Sequence, residues 1–297
     1  MNNLTKLGLN LLQQARLDRL AIKALNNKFF NPLMFKYCWQ ERNYESFLTQ
    51  YRQWREKLEK NGVSLKAKKI LEIGSGGSIG LGYFFLKHDF KLWAGSDLYQ
   101  DLNKEKKLIA NEKKLIKNVY KNYDKDIFKQ AEFKDKKISF GPRFDFFKLQ
   151  AETLKEKLVG GFDIILSAAV LEHLPREIVT KAVGNFNRYL PVGGLMIHDI
   201  DLRDHINVAS PYNFYKYDEA EWNKLTQGSI FYTNRLRLSD YLNIFTKHNF
   251  KIKYLEKQTK PLPINIKINN FFRSYQKDDL ETINAFIILE KTADYHE

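Results

Sequence analysis

The chain has 297 residues, of which 43% are hydrophobic and 28% are charged, so it is long and apolar enough to bury a sizeable core. No apolar run approaches the ~20 residues that a transmembrane helix requires, and the amino terminus lacks the uncharged central stretch of a signal peptide. The single cysteine, Cys38, excludes an intrachain disulfide and a thiolate metal cluster. We therefore expect a globular protein in a reduced, cytoplasmic setting.

The net charge of +14 is unevenly distributed along the chain. Residues 1–66 carry 12 basic and 5 acidic side chains, residues 101–140 carry 12 basic and 7 acidic ones, and the remainder is nearly neutral. The basic charge suits a phosphate-bearing substrate, an anionic membrane surface or solubility alone. A nucleic-acid partner is not favoured, because the basic residues avoid the segments that carry the motifs described below.

Two helices are predicted before the first strand. Residues 1–30 place leucines on one face with basic residues beside it, which fits a helix packed on the core, a dimer-forming helix or peripheral contact with the inner face of an anionic membrane. The second helix is expected from Tyr44 to Leu58, where its aromatic side chains suit either core packing or a lid over a ligand. We assign residues 1–66 to an N-terminal helical extension and residues 67–297 to the main domain.

The stretch Lys69–Gly80, K-I-L-E-I-G-S-G-G-S-I-G, predicts a buried parallel strand, a tight turn and the start of a helix. Its clustered glycines allow a ligand to lie against bare backbone and permit φ values that a Cβ penalises. A dinucleotide fingerprint is not matched, because Gly80 falls one position late for G-x-G-x-x-G. Glu72 in this strand and Asp97 at the end of the next apolar stretch place two carboxylates at neighbouring strand tips, where they can hold ribose hydroxyls.

These residues resemble the first two motifs of class I S-adenosylmethionine methyltransferases: an acid-bearing strand followed by G-x-G, and a second strand that ends in an acid. The resemblance implies an α/β fold with a Rossmann-like sheet and an antiparallel last strand, extended here by N-terminal helices and by helical and aromatic insertions. It also implies S-adenosyl-L-methionine as cofactor and S-adenosyl-L-homocysteine as product, with Asp97 at the ribose and Glu72 supporting the turn. The cofactor contacts expected on this basis are Glu72, Gly74, Ser75, Gly76, Asp97, Leu98, Ala151, Glu152, Ser167 and Ala168.

A Lys-rich segment follows the second strand, and we interpret residues 101–140 as an insertion or an elongated helix. Its basic residues fit a solvated helix face, or a site for a phosphorylated substrate or a membrane. The third strand is predicted at Phe144–Leu149, and the resembling family carries an acid or amide at the adenine edge just after it. Gln150, Ala151 and Glu152 are candidates for that contact, and a plain helix start is the alternative.

The fourth predicted strand, Phe162–Ser167, leads into V-L-E-H-L at residues 170–174, a second match to the methyltransferase family. In that family this strand end lies beside the reacting methyl group. His173 is therefore a candidate base or substrate contact, and a histidine that caps the next helix is the alternative. Ubiquinone-type O-methyltransferases use an additional Glu at the position of Ala169 to hold a metal, so no metal is predicted here.

The densest polar cluster follows the fifth predicted strand, at His198–His205 (H-D-I-D-L-R-D-H). Ligands of α/β sheets sit at the carboxyl ends of strands, and the alternation places His198 on one face and Asp199 and Asp201 on the other. A hydroxyl is a poor nucleophile while it is protonated, so methyl transfer to oxygen favours a His or Asp base. The predicted catalytic residues are His173, His198, Asp199 and Asp201, with a structural network of ion pairs as the alternative.

An aromatic segment at residues 206–234 and the N-R-L-R sequence at 234–237 suit a sugar ring stacked on aromatic faces and an anionic group bound by arginine. Together with the polar cluster, they resemble methyltransferases encoded with bacterial surface-polysaccharide enzymes. A packed aromatic cap is the alternative. The predicted substrate contacts are Arg203, His205, Tyr212, Tyr215, Asn234, Arg235 and Arg237.

The last two strands are predicted at Phe250–Tyr254 and Ala285–Leu289, a closing pair that matches the family's reversed final strand. We interpret the chain as an S-adenosylmethionine-dependent enzyme that methylates a sugar hydroxyl of a surface glycan or a related small molecule, free or phosphate-bearing. An RNA or protein methyltransferase is a weaker alternative, because S-A-A-V at residues 167–170 stands where an N-P-P-Y tetrad would bind planar amino groups. A non-catalytic member of the fold is a third.

Overall fold

The computed structural model describes residues 43–76, 78–97, 106–122, 132–134, 137–139, 143–148, 151–153, 155–206, 210–226 and 232–295. The helix expected over residues 1–30 and the candidate contacts Leu98 and Gln150 lie outside these ranges. Within them, no helix is both long and apolar enough to cross a bilayer.

Seven strands form the main sheet, in the order β5-β2-β1-β6-β7-β9-β8, and β3 pairs with β4 in a separate hairpin. The strands are β1 (Lys69–Ile73), β2 (Leu92–Asp97), β3 (Glu132–Lys134), β4 (Lys137–Ser139), β5 (Phe144–Lys148), β6 (Ile164–Ala168), β7 (Leu195–Asp201), β8 (Phe250–Thr259) and β9 (Thr282–Lys291). Neighbours in the main sheet run parallel except at β9, which is antiparallel to both β7 and β8. The predicted Rossmann-like sheet with a reversed last strand is confirmed.

Helices flank this sheet throughout the described part of the chain. They are α1 (Tyr44–Lys60), α2 (Gly80–Phe84), α3 (Lys106–Asn122), α4 (Arg176–Tyr189), α5 (Glu219–Thr226), α6 (Leu238–Lys247) and α7 (Lys277–Glu281). Short 3-10 turns occur at Leu86–His88, Glu156–Leu158, Leu171–His173, Asn213–Lys216 and Asn270–Phe272. The helix that starts at Gly80 ends at Phe84 and is followed by the 3-10 turn at Leu86–His88.

Two apolar clusters cover the two faces of the sheet. One joins α1, α2 and α3 to strand residues such as Ile70 and Phe286, and the other joins α4 and α6 to strand residues such as Leu71 and Ile287. Because both faces of a parallel sheet are covered, its strands are apolar on both sides. The part of the sheet that remains open to a ligand is therefore the row of strand ends, which we call the carboxyl edge where the parallel strands end.

Helix α1, within the predicted N-terminal extension, is part of the core. Asn43 begins it with a capping box. Its Trp54 meets Phe286 of β9 edge-on, with ring centroids 5.3 Å apart, and Phe47 lies so close to Gly80 that a Cβ there would be 2.4 Å from its ring. These contacts support a packing role for α1, while the lid role stays a prediction.

The aromatic segment after β7 and the connection between β8 and β9 together build a third, smaller core. Its buried members are Tyr212, Phe214, Tyr215, Tyr217, Trp222, Phe272 and Leu280. Because β8 ends at Thr259 and β9 begins at Thr282, the connection between them lies at the same sheet edge as Asp201, the last residue of β7. We call this unit the aromatic cap; it stands at the carboxyl edge of the sheet.

Candidate functional site

The turn after β1 has the left-handed backbone that the glycine pattern predicts. Gly74 has φ +67° and Gly76 has φ +70°, values that L side chains rarely adopt. Between them, Ser75 is buried, and its N–H donates to the carbonyl of Ser96 at 2.9 Å. The turn is thereby tied to β2 and presents glycine backbone at the carboxyl edge of the sheet.

The two predicted carboxylates have different surroundings. Asp97 ends β2, and its Oδ2 accepts a hydrogen bond from the Gly76 N–H at 3.0 Å. Glu72 lies within β1, where its Oε2 accepts from the indole N–H of Trp93 at 2.9 Å. Both residues are buried, with 3% of Glu72 and 6% of Asp97 exposed. Glu72 supports β2 from within the core, and its expected role in supporting the glycine turn stays a prediction, while Asp97 lies at the strand tip.

The backbone at the end of β6 is strained where it meets the glycine turn. Ala169 is exposed and has φ +54°, a left-handed value that is unfavourable for a residue with a Cβ. Its N–H donates to the carbonyl of Asp199 at 2.9 Å, which holds this conformation in place. Strain of this kind is often stored at functional sites, and here it lies between two strand ends that the motifs single out.

Four other predicted cofactor contacts, Ala151, Glu152, Ser167 and Ala168, have different placements. Ala151 is buried, and its carbonyl accepts from Asn185 Nδ2 at 2.9 Å, while Glu152 and Ala168 are half-buried. Ser167 is buried, and its Oγ bonds to His198 Nδ1 at 2.8 Å. A ligand contact through the Ser167 hydroxyl is therefore wrong, because that group is turned into the core.

His198, a predicted base, is also a core residue. Its ring is fully buried and stacks on Phe245 at a centroid distance of 5.6 Å, with Phe186 on the same side of the sheet at 6.3 Å. Burial lowers the pKa of His198 to about 3. The alternation correctly separates His198 from Asp199, but the helices α4 and α6 cover the face that His198 occupies, so the catalytic role predicted for it is wrong.

His173 is the predicted base whose placement fits catalysis. It closes the 3-10 turn after β6, where Nδ1 is 2.8 Å from the carbonyl oxygen of Tyr232. A carbonyl can only accept, so Nδ1 carries the proton and Nε2 carries the lone pair. Burial, and secondarily the neighbouring His205, lower the pKa of His173 to about 4. The imidazole is therefore neutral near pH 7 and able to accept a proton.

Asp201 links His205 and Arg203 beside this histidine. Arg203 Nε and Nη2 donate to the two carboxylate oxygens of Asp201 at 2.8 and 2.6 Å, and His205 Nε2 lies 3.3 Å from Oδ2. Burial alone would raise the pKa of Asp201, but these partners outweigh it and hold the pKa well below its usual range. The His205 ring lies 4.9 Å from that of His173, so the structure brings together four of the residues singled out from the sequence.

Asp199 stands apart from this group. Its Oδ1 accepts from Asn284 Nδ2 at 2.9 Å, and burial raises the pKa of its carboxyl group. The Trp54 indole N–H lies nearby without hydrogen-bond geometry. Asp199 thus faces α1 and β9, and its predicted catalytic role stays a prediction.

Glu172 belongs to this site although we did not assign it a role from the sequence. It is buried beside His173, and its Oε1 accepts from the Asp201 N–H at 3.2 Å. Its Oε2 has no hydrogen-bond partner among the described residues. Burial raises the pKa of Glu172 well above its usual value, and the nearby Asp201 raises it further, which favours a protonated carboxyl group. The sequence feature that could have identified Glu172 as a site residue is its position in the V-L-E-H-L motif at residues 170–174.

Asn234 is a positioning residue rather than a substrate contact. Its Nδ2 donates to the carbonyls of Leu171 and Leu174 at 2.8 and 2.7 Å, on either side of the turn that carries His173. Its N–H also donates to the carbonyl of Glu172 at 2.8 Å. Because its side-chain amide is engaged and only 8% of the residue is exposed, the predicted substrate contact is wrong.

The two following arginines hold the aromatic cap together. Arg235 donates to Glu219 Oε2 at 2.6 Å and to the Tyr217 carbonyl at 2.8 Å. Arg237 is fully buried, and it donates to the carbonyls of Leu202 at 2.9 Å and of Thr282 at 2.5 Å. Both guanidinium groups lie over aromatic rings of the cap. The predicted anion-binding role is therefore wrong for both, because neither reaches the surface.

The cap tyrosines predicted to stack on a substrate are also buried. Tyr215 is 0% exposed and its hydroxyl donates to the carbonyl of Leu280 at 2.8 Å. Tyr212 is 2% exposed and donates to the carbonyl of Lys260. The packed-cap alternative accounts for both, and among the predicted substrate contacts only Arg203 and His205 keep a place beside His173.

Glu112 on α3 is a second residue that the sequence analysis missed. It is buried, and its Oε1 accepts from the Ile79 N–H at 3.1 Å and from the Tyr83 hydroxyl at 2.8 Å. Burial raises its pKa. Glu112 thereby fixes the start of α2, directly after the glycine turn. A single acid on the apolar face of an otherwise Lys-rich helix was the available signal.

The residues at this edge fit a nucleoside with a charged tail. The left-handed Gly74 and Gly76 leave backbone without side chains, and Asp97 at the tip of β2 has the chemistry to accept from ribose hydroxyls. The exposed Ala169 and the half-buried His173 continue the same edge from β6. A donor held on the first two strands would thus have His173 on the strand next to them.

Comparison with known proteins identifies the family to which the chain belongs. A family model described as a methyltransferase domain matches residues 39–255, more than half of the chain. No curated protein matches.

The chain is also similar to solved structures, at low identity. An S-adenosylmethionine-dependent methyltransferase from Methanosarcina mazei is 14% identical, with a TM-score of 0.46, over 77% of this chain and 95% of that one. One from Mesorhizobium loti is 11% identical, with a TM-score of 0.46, over 80% and 96%. The N-methyltransferase NodS from Bradyrhizobium japonicum, in complex with S-adenosyl-L-homocysteine, is 13% identical, with a TM-score of 0.44, over 82% and 87%.

The family match bears on three of the expectations drawn from the sequence. The expected class I methyltransferase, its transferase activity and S-adenosylmethionine as its cofactor are confirmed at the level of the family. The chain belongs to the methyltransferase domain family.

Proposed function

We propose that this methyltransferase acts on a hydroxyl oxygen of a small molecule, with His173 as the general base. The observation that carries the proposal is the orientation of His173, whose Nδ1–H donates to the carbonyl of Tyr232 and so leaves Nε2 as the acceptor. A hydroxyl acceptor has to lose its proton as it is methylated, and a neutral imidazole at the reacting edge meets that need.

The donor would be held by residues already described. The backbone of Gly74–Gly76 and the carboxylate of Asp97, both predicted from the sequence as cofactor contacts, would bind it; the left-handed turn and the position of Asp97 support this. S-adenosylmethionine, when bound, supplies a methyl group on a positively charged sulfur that leaves as a neutral thioether. The remaining task of the protein is to orient the acceptor and take up one proton, and orientation contributes much of the rate in such reactions.

The proton balance can be written for the acceptor and His173. As the acceptor oxygen takes up the methyl group that bound S-adenosylmethionine would supply, its hydroxyl proton would move to His173 Nε2. The imidazolium then lies beside Asp201, whose carboxylate is held ionised by Arg203 and His205. The negative charge of Asp201 raises the pKa of His173, although burial outweighs it, and so favours the protonated imidazole that the step would create.

The acceptor class comes from the sequence resemblance. We propose a sugar hydroxyl of a glycan or its precursor, and a cytoplasmic reaction. Arg203 has 55% of its side chain exposed, so it is the described group at this edge that suits an anionic part of such an acceptor. The buried Arg235 and Arg237 do not contribute to this choice.

Methyl transfer to a panel of sugar hydroxyl acceptors, with matched amines, tests the proposal by mass spectrometry. We expect a methyl ether product and a loss of kcat/KM of roughly 10²–10⁴-fold in His173→Gln, the range for a general base. Because the pKa of His173 is about 4, kcat/KM should stay constant as the pH falls from 7 and decrease only as His173 is protonated. His88→Gln, at a half-buried histidine away from this edge, is the matched control.

Two outcomes would contradict the assignment. One is undiminished turnover in His173→Gln with S-adenosylhomocysteine binding unchanged in a calorimeter. The other is a product methylated on nitrogen alone, because a neutral amine needs no base to attack.

A further inference from the structure

We propose that the 260–273 loop, which joins β8 to the aromatic cap, is a docking surface for an anionic lipid bilayer. The inference rests on exposure, rigidity and charge at this loop. It does not depend on which acceptor the enzyme methylates.

The loop exposes large apolar side chains to water. Ile264 is 100% exposed and Phe271 is 42% exposed. Ile264 occupies the tip of a turn closed by the Ile266 N–H, which donates to the Pro263 carbonyl at 3.1 Å. An aliphatic side chain held at the apex of a turn buries nothing within its own domain, and such exposure marks interaction surfaces.

The exposure does not come from a loose backbone. The Asn269 N–H donates to the Tyr215 carbonyl at 2.8 Å, and the Leu262 N–H donates to Glu281 Oε1 at 3.1 Å. Leu262, Ile266 and Ile268 pack against the aromatic cap. The inner side chains thus fasten the loop, and the fastened loop directs Ile264 outward.

The charge of the loop is of one sign. Lys260, Lys267 and Arg273 are basic, and residues 260–276 contain no Asp or Glu. Within the described residues, none of these three side chains is paired with a carboxylate, whereas Lys253 and Lys257 on the adjoining strand pair with Glu290 and Asp278. Basic residues around an exposed apolar tip are complementary to an anionic lipid surface, which attracts the charges and accepts the apolar groups.

The loop lies at the same end of the sheet as the His173 site. It leaves β8 at Thr259, which pairs with Thr282 at the start of β9, and Asn284 two residues later pairs with Asp201. The docking surface and the His173 site therefore share the carboxyl edge of the sheet. A bilayer bound at the loop would lie at the same end of the strands as the His173 site.

Vesicle sedimentation with the full chain tests the surface. Vesicles of phosphatidylcholine alone are compared with vesicles that also contain phosphatidylglycerol, at low and high salt. We expect binding to the anionic vesicles, weakened by salt, and a loss of at least about tenfold in Ile264→Ser/Phe271→Ser, because two apolar insertions are removed. Lys267→Glu should weaken the binding as well.

Matched variants at the opposite edge of the sheet separate this surface from general effects. Val192→Ser removes another exposed apolar side chain, 59% exposed in the turn before β7, and Lys91→Glu reverses an exposed charge before β2. Both should bind vesicles like the natural protein. Residues 1–42 are present in every variant, so any contribution from them is common to all.

A local probe reports insertion directly. In a Cys38→Ser background, Ile264→Cys labelled with an environment-sensitive fluorophore should shift to the blue on anionic vesicles, and Val192→Cys should not. Equal vesicle binding by the double variant and the natural protein would overturn the proposal. So would a dimer that Ile264→Ser dissociates in the absence of any vesicle binding, since the loop would then cover a second copy.

Discussion

Val170 lies directly against Gly74, so that a Cβ built on the glycine would be 2.4 Å from Val170 Cγ2. The contact joins the turn after β1 to the 3-10 turn after β6. The carbonyl of Val170 in turn accepts from the His173 N–H at 3.0 Å. Val170 thus links the glycine turn, which would bind the donor, to His173, the proposed base.

Replacing Gly74 by Ala should therefore damage both stability and activity. The left-handed φ costs about 1–2 kcal/mol for a residue with a Cβ, and the overlap with Val170 adds roughly 1–3 kcal/mol. Gly62 has a similar φ of +65° with nothing within 4 Å, so Gly62→Ala should show the backbone cost alone. Chemical denaturation of the two variants measures the difference, and equal losses would mean that Val170 moves aside freely.

A second substitution tests the contact itself. Val170→Ala should recover part of the stability that Gly74→Ala loses, because it removes the overlapping methyl groups. Recovery of stability without recovery of turnover would indicate that the position of His173 depends on Val170.

The sheet could be predicted from the sequence because its strands are continuous apolar runs whose ends carry recognisable motifs. The positions of the glycine turn, Asp97 and His173 could be predicted in the same way, since each lies within a few residues of a strand end, while their roles stay predictions. These are local features, and local chain geometry alone determines them.

The site predictions that were wrong have a different cause: they depend on contacts between segments that are distant in sequence. Alternation placed His198 opposite Asp199, but which face the helices α4 and α6 cover is decided by tertiary packing. The sequence predicts that Arg235 and Arg237 bind an anion because nothing near them in the chain reveals that residues between β8 and β9 complete the aromatic cap around them. Glu172 was overlooked for the same reason, since its carbonyl accepts a hydrogen bond from the N–H of Asn234, 62 residues away in the chain.

Arg237 provides the clearest test of this correction. Arg237→Met should destabilise the protein by about 2–5 kcal/mol, because the buried carbonyls of Leu202 and Thr282 each lose their donor. Arg203→Met, at an exposed arginine, should change stability by less than about 1 kcal/mol. Thermal unfolding measures both effects, and a stable Arg237→Met enzyme with a raised KM would restore the predicted substrate contact.

Asp97 is the carboxylate best placed to hold the donor. Asp97→Asn retains an acceptor for the Gly76 N–H but removes the charge, so we expect S-adenosylhomocysteine to bind roughly 10–100-fold more weakly, the value of one hydrogen bond to a charged group. Asp145→Asn, at an exposed position on the neighbouring β5, should leave binding unchanged. Titration calorimetry checks both, and unaltered affinity in Asp97→Asn would remove this residue from the donor site.

The buried imidazole of His198 predicts how stability responds to acid. Its pKa of about 3 lies below the 6.5 of an unfolded histidine, so the unfolded state binds the extra proton between these values. The stabilisation from this group is complete above pH 6.5 and declines as the pH falls, by about 1.4 kcal/mol per pH unit. Between pH 7 and pH 4.5 the loss from this residue is roughly 2–3 kcal/mol.

Replacing His198 by a residue that does not titrate should make the free energy of unfolding less dependent on pH. Ser167→Ala/His198→Phe keeps an aromatic ring between Phe186 and Phe245 and avoids a buried hydroxyl without a partner. Its free energy of unfolding should fall less steeply on acidification than that of the natural protein. His88→Phe, at a half-buried ring whose pKa is also lowered, should change the slope less. Denaturant titrations at several pH values measure the three slopes, and an unchanged slope in the double variant would mean that the His198 ring is accessible to protons.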